Sequence, residues 1–131
     1  MTGADHLFVY GTLMRGFALH RLLDGRARFL AAGTVGAQLF DLGPYPAAMP
    51  DPHARVVGEV YEIADAALWA TLDSAEGPQY HRGEVSVRVA DGSEVVAWLY
   101  WYRGPMRGSP IPGGDYRAHA PARSIHHSPR T

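Results

Sequence analysis

Three short stretches hold the residues whose types and spacing could do chemistry. "LDSAEGPQYHR", residues 72–82, places Glu76 directly before Gly77, where a helix should end. A carboxylate there faces the negative end of the helix dipole, which raises its pKa, as does burial. A carboxyl group tuned this way can take and give a proton near neutral pH. The competing reading is an exposed Glu in a fraying last turn, because Glu is mostly a surface residue. "FVYGTLMRG", residues 8–16, runs an apolar strand into Tyr10, Gly11, Thr12 and Leu13. Backbone N–H groups in a turn after a strand can form an anion-holding concavity, and a glycine lets a ligand approach the main chain. A plain structural turn is the alternative; the Lys-Ser/Thr pair of a nucleotide P-loop is missing. In "WLYWY", 98–102, alternation puts Trp98, Tyr100 and Tyr102 on one face and Leu99 and Trp101 on the other. One face could floor a pocket, with Tyr100 or Tyr102 beside Glu76; ordinary core packing is the rival reading.

Other chemistries find less support. The chain has no cysteine, which removes disulfides, thiolate catalysis and Cys-ligated zinc. None of the seven histidines falls in a His-Glu-x-x-His arrangement, so no metal site is expected. A G-x-S-x-G nucleophile elbow is absent. Among the other acids, Glu59 and Glu62 fall on a strand, Glu84 and Glu94 flank a hairpin, and Asp73 sits at a different helical angle from Glu76.

The elements that must position these residues follow from periodicity. Strands are expected at 6–10, within 27–43 (one or two, bent at glycines), at 54–63, at 83–90 and at 93–102. Asp91-Gly92 predicts a two-residue hairpin turn between the last two. Residues 18–25 predict a short helix. Residues 65–77 predict the best one, with Asp65 as N-cap and Leu68, Trp69 and Leu72 as its apolar stripe. The proline-dense "PYPAAMPDP", 44–52, reads as loop, and the chain after Arg103 as mostly irregular, with a mobile tail from about 118 to 131. The order predicts an α+β fold, a small mixed β-barrel with flanking short helices, in a single domain over 1–131.

The formal net charge of −1, with no block of like charges, argues against a nucleic-acid partner. No apolar run approaches the ~20 residues that span a bilayer, and the N-terminus has no signal-peptide pattern, so the expected location is the cytoplasm.

Taken in order, "FVYGTLMRG", "GPYPAAM", "VVGEVYEI", "ALWATLDSAEG", "QYHR", "VVAWLYWY" and "IPGGDY" resemble the gamma-glutamylcyclotransferase-like family, over roughly residues 6 to 117 and in its compact bacterial form. The resemblance implies a small mixed barrel. It implies that the loop matching Tyr10, Gly11, Thr12 and Leu13 binds the α-carboxylate and amino-acid end of a γ-glutamyl substrate. The acid matching Glu76 would be the acid/base, and the Tyr-x-Arg pattern after it appears as Tyr80, His81 and Arg82. Gly114-Asp115-Tyr116 departs from the Gly-Asp-Trp of many members. The implied reaction is attack of the substrate's own α-amine on its γ-carbonyl, releasing 5-oxoproline and an amine, with no metal or organic cofactor required. The leaving amine and the oligomeric state stay open. So do two other functions: a non-catalytic small-molecule binding domain that kept the pocket, and a tailoring enzyme that removes a γ-glutamyl cap from a larger metabolite.

Overall fold

The computed structural model describes residues 6–119. Its centre is a closed barrel of β1 (His6–Val9), β5 (Val56–Ile63), β2 (Ala27–Val35), β6 (Tyr80–Val89) and β7 (Glu94–Tyr102), hydrogen-bonded in that order. Every pairing is antiparallel except the seam, where β1 meets β7 in parallel at Leu7 opposite Trp98. A smaller sheet carries β4 (Pro46–Pro50), β3 (Ala37–Asp41) and β8 (Ser109–Pro110) in that order. The mixed barrel and the α+β class are those the residue pattern predicts.

Alternation accounts for the barrel. On β7, Ala97, Leu99 and Trp101 are buried on one face. Tyr100 and Tyr102 are buried on the other, so the strand's C-terminal half is covered on both sides. Leu7, Phe8, Val60 and Val87 fill the same core. Two glycines permit its tight packing. A Cβ on Gly58 would lie 2.3 Å from the Val9 carbonyl oxygen, and one on Gly33 would lie 2.6 Å from the Val87 side chain.

Several local expectations need correction. Residues 44–52 are not all loop, since Pro46–Pro50 forms β4. It pairs with β3 only and sits at the edge of the smaller sheet, where a proline's missing N–H costs no ladder bond. The helix predicted from Asp65 begins at Leu68, as α1 (Leu68–Glu76), with Ala67 at its N-cap. Asp65 instead closes the turn before it, accepting from the Ala67 N–H at 3.0 Å and pairing with Arg26. The 18–25 segment winds as a 3-10 helix over Ala18–Leu23. The β6–β7 turn is wider than two residues. Gly92 donates to the Val89 carbonyl and Val89 to the Ser93 carbonyl, and only Gly92 has positive φ (88°), whereas a type I′ turn needs Asp91 there too. Ala118 and His119 are not tail but belong to α2 (Tyr116–His119), which His119 ties to Asp41 at 2.8 Å. The rest of the expected tail, 120–131, lies outside the described residues.

Candidate active site

The barrel seam delivers one site residue from each side. β1 ends at Val9 and releases Tyr10 into the loop that follows; β7 presents Tyr100. The Tyr10 hydroxyl donates to the Tyr100 carbonyl at 2.6 Å, locking the two together. The loop then folds on its own carbonyls. Gly11 O accepts from Met14 N at 3.0 Å, Thr12 O from Leu19 N at 2.9 Å, and Leu13 O from His20 Nδ1 at 3.0 Å. Among the described residues no acceptor faces the amides of Gly11, Thr12 or Leu13. A loop whose oxygens are satisfied and whose N–H groups are not presents a donor face to an anion.

Gly11 is required for a reason other than the one its place in the loop suggests. Its φ is not positive, and a Cβ there would lie 2.4 Å from the Pro46 side chain, so the glycine admits β4 against the loop.

The far end of the loop is anchored by Glu59, which β5 buries directly opposite Val9. One carboxylate oxygen accepts from the Arg15 N–H (3.1 Å) and the Tyr61 hydroxyl (2.9 Å); the other accepts from Arg15 Nε (3.4 Å) and Arg117 Nη2 (3.0 Å). Residue pattern alone set Glu59 aside as one of several strand acids. Its role depends on Arg117, 58 positions later in the chain, and no local signal carries that pairing.

Glu76 closes α1, and Gly77, with φ of 87°, turns the chain away towards β6. The carboxyl group enters a cavity of about 440 Å³, within the usual range for small-molecule sites. Tyr10, Gly11, Thr12, Leu13, Glu76 and Tyr100 all line it, joined by Tyr45, Pro46 and Tyr80. Tyr102 does not; its hydroxyl donates to the Pro105 carbonyl at 2.7 Å. Glu76 is the one formally charged residue in this lining. Among the described residues it has no hydrogen-bond donor and no ion-pair partner. Burial pushes its carboxyl up from 4.5 to about 7. Desolvation, one of the two causes the sequence points to, is the one that raises it. Burial also raises the Tyr10, Tyr80 and Tyr100 phenols; the Glu76 charge adds to each rise, and at Tyr100 the bond to Asp73 contributes more than Glu76 does. All three therefore stay neutral near pH 7.

Asp73 lies beside this site, nearly one helical turn before Glu76 and outside the cavity lining. Its oxygens accept from the Tyr100 hydroxyl at 2.6 Å and from Arg82 at 2.8 and 3.0 Å. Burial raises the Asp73 carboxyl, but the bonds from Arg82 and Tyr100 outweigh it and leave the pKa low. Among the described residues no three His, Asp or Glu side chains converge where a metal ion could sit, and no helix is long and apolar enough to cross a membrane.

The arrangement can therefore hold a small anion on neutral N–H donors, flank it with four tyrosines, and move a proton with one desolvated carboxylate. Proteins of related sequence share the frame. The family model described as gamma-glutamyl cyclotransferase, AIG2-like, matches residues 7–118. A Methanocaldococcus jannaschii protein provisionally named a gamma-glutamylcyclotransferase is 33% identical over 118 residues, 86% of this chain and 96% of that one. A Rattus norvegicus protein named gamma-glutamylaminecyclotransferase is 31% identical over 115 residues, 72% of this chain and 76% of its own. The crystal structure of an uncharacterised Pyrococcus horikoshii protein superposes with a TM-score of 0.74 at 30% identity, covering 98% of this chain and all of that one.

Proposed function

The chain belongs to the gamma-glutamyl cyclotransferase, AIG2-like family, and from that premise we propose that it cyclises a γ-glutamyl amine or γ-glutamyl amino acid, with Glu76 as general acid/base. The observation that carries this reading is the unpaired, half-buried Glu76 carboxyl in one cavity with the donor loop of Gly11, Thr12 and Leu13. The substrate's α-carboxylate docks on those N–H groups. Its chain folds back so that the α-amine nitrogen meets the γ-carbonyl carbon. A C–N bond forms, closing a five-membered ring, and the C–N bond to the leaving amine breaks. Glu76 takes a proton from the attacking nitrogen and gives one to the departing nitrogen. The products are 5-oxoproline and the free amine, and Glu76 ends in its starting state.

Nucleophile and electrophile sit in one molecule, so no Ser or Cys nucleophile is needed. Holding a near-attack geometry contributes up to ~7–11 kcal/mol in favourable intramolecular reactions. Proton transfer by a placed side chain adds ~100- to 10,000-fold. A carboxyl with a pKa of about 7 is matched to both halves of that transfer.

The test is a panel of γ-glutamyl amines, amino acids and capped larger metabolites, assayed for 5-oxoproline. Release from at least one, with Glu76→Gln cutting turnover by ~100-fold or more and binding retained, supports the mechanism. Full turnover by Glu76→Gln refutes the acid/base role. Binding without release from any panel member favours a non-catalytic binding domain.

A further inference from the structure

Three phenols surround Glu76, and each gives its single proton elsewhere. Tyr10, after β1, donates to the Tyr100 carbonyl; Tyr80, on β6, donates to the Pro46 carbonyl at 2.9 Å; Tyr100, on β7, donates to Asp73. The fourth lining tyrosine, Tyr45, stands edge-on to Tyr80 with ring centroids 6.1 Å apart. No other charged side chain lines the cavity; Asp73 and Arg82 stand behind Tyr100. The Tyr100 commitment is the elaborate one. Arg82 lies over the rings of Trp69 (4.7 Å) and Trp98 (5.7 Å) and grips both oxygens of Asp73, and Asp73 Oδ1 captures the Tyr100 hydroxyl. Asp73 and Glu76 are one helical turn apart, Glu76 shares the cavity lining with Tyr100, and its charge reaches the Tyr100 phenol, so a hydroxyl released from the first carboxylate has the second among its surroundings.

We propose that Asp73 is a positioning residue for the acid/base: by holding the Tyr100 hydroxyl, it keeps that phenol from donating to Glu76. The inference rests on the acid/base reading of Glu76 for its meaning, but its geometry and its test do not depend on turnover. A phenol donating to the ionised Glu76 would favour the charged form and weaken its hold on the proton. The Arg82–Asp73 pair thus works through Tyr100 and needs no contact with substrate.

The experiment is an NMR titration of the Glu76 carboxyl, ¹³C-labelled, in the ligand-free full chain. Asp73→Asn removes the charge but keeps an oxygen that accepts the hydroxyl; Asp73→Ala removes both. The expected result is a Glu76 midpoint about one pH unit lower in Asp73→Ala than in Asp73→Asn, returning to the Asp73→Asn value in Asp73→Ala/Tyr100→Phe. Tyr100→Phe alone should leave the wild-type midpoint in place, because that hydroxyl is not given to Glu76. Equal midpoints in Asp73→Ala and Asp73→Asn, or a fall that survives loss of the hydroxyl, overturn the proposal. A rise in Tyr100→Phe alone does so without any change at Asp73. Because no substrate is present, failure of the cyclotransferase reading would show in the panel assay and leave this titration intact.

Discussion

Replacing Glu76 by Gln should stabilise the protein, by an amount that grows as pH rises from about 4.5 to about 7 and is constant above. In the folded protein burial holds the carboxyl at about 7, against 4.5 when exposed. Between those values the native state keeps a proton that the unfolded chain has released. Stability therefore falls as pH rises through that window and is lowest above pH 7. The gap is about two and a half pH units, and each is worth ~1.36 kcal/mol, so ionised Glu76 costs the fold about 3 kcal/mol at high pH. Gln carries no charge at any pH and escapes this cost. Urea unfolding at pH 5 and pH 8.5 measures the difference, with equal m-values confirming that one transition is compared. Glu76→Gln should exceed wild type by under ~1 kcal/mol at pH 5 and by about 3 kcal/mol at pH 8.5, a large fraction of a typical domain's stability. An equal gain at both pH values would mean better packing rather than relieved desolvation. No gain at pH 8.5 would refute the burial argument outright.

With any γ-glutamyl compound that the wild type cyclises, kcat/KM should show a titrating limb near pH 7 that vanishes in Glu76→Gln; a flat profile from pH 6 to 8 would contradict Glu76 as the group. Glu59→Ala strands the buried Tyr61 hydroxyl and the part-buried Arg15 N–H and should cost about 2 kcal/mol in thermal or urea unfolding, while Arg117→Ala, at a half-exposed guanidinium, should cost under ~1 kcal/mol. Gly58→Ala forces a Cβ to within 2.3 Å of a main-chain oxygen that cannot swing aside; a loss of more than ~2 kcal/mol is expected, and circular dichroism melts would detect its absence.

Where a signal was local, the residues carried it. Alternation in "VVGEVYEI" and "SEVVAWLYWY" marked β5 and β7, and Gly77 marked the end of α1 behind Glu76. β4 is hidden because its prolines signal a break in the chain. They stand at its two ends, on an edge strand that needs few of their N–H groups. Tyr80 and Pro46 enter the cavity through a tertiary bond between β6 and β4 that neither segment announces. Glu59 looked like any strand acid because its partners come from the loop after β1 and from α2. In each case the missing information is which distant segment covers a residue, a property of the folded chain and not of any window of sequence.

The parallel seam between Leu7 and Trp98 bears on the order of assembly. Of the barrel strands β1 comes first in the sequence and β7 last, so closure joins chain segments some ninety residues apart. Such a contact forms late, since its loop-closure entropy is lost before the contact returns anything. The same seam brings the donor loop on β1 against Tyr100 on β7. A chain released short of β7, or one whose barrel has not shut, thus lacks the Tyr100 wall of the cavity and the carbonyl that holds Tyr10. Ligand binding at this site becomes a report on the last step of folding, with no half-built species able to give it.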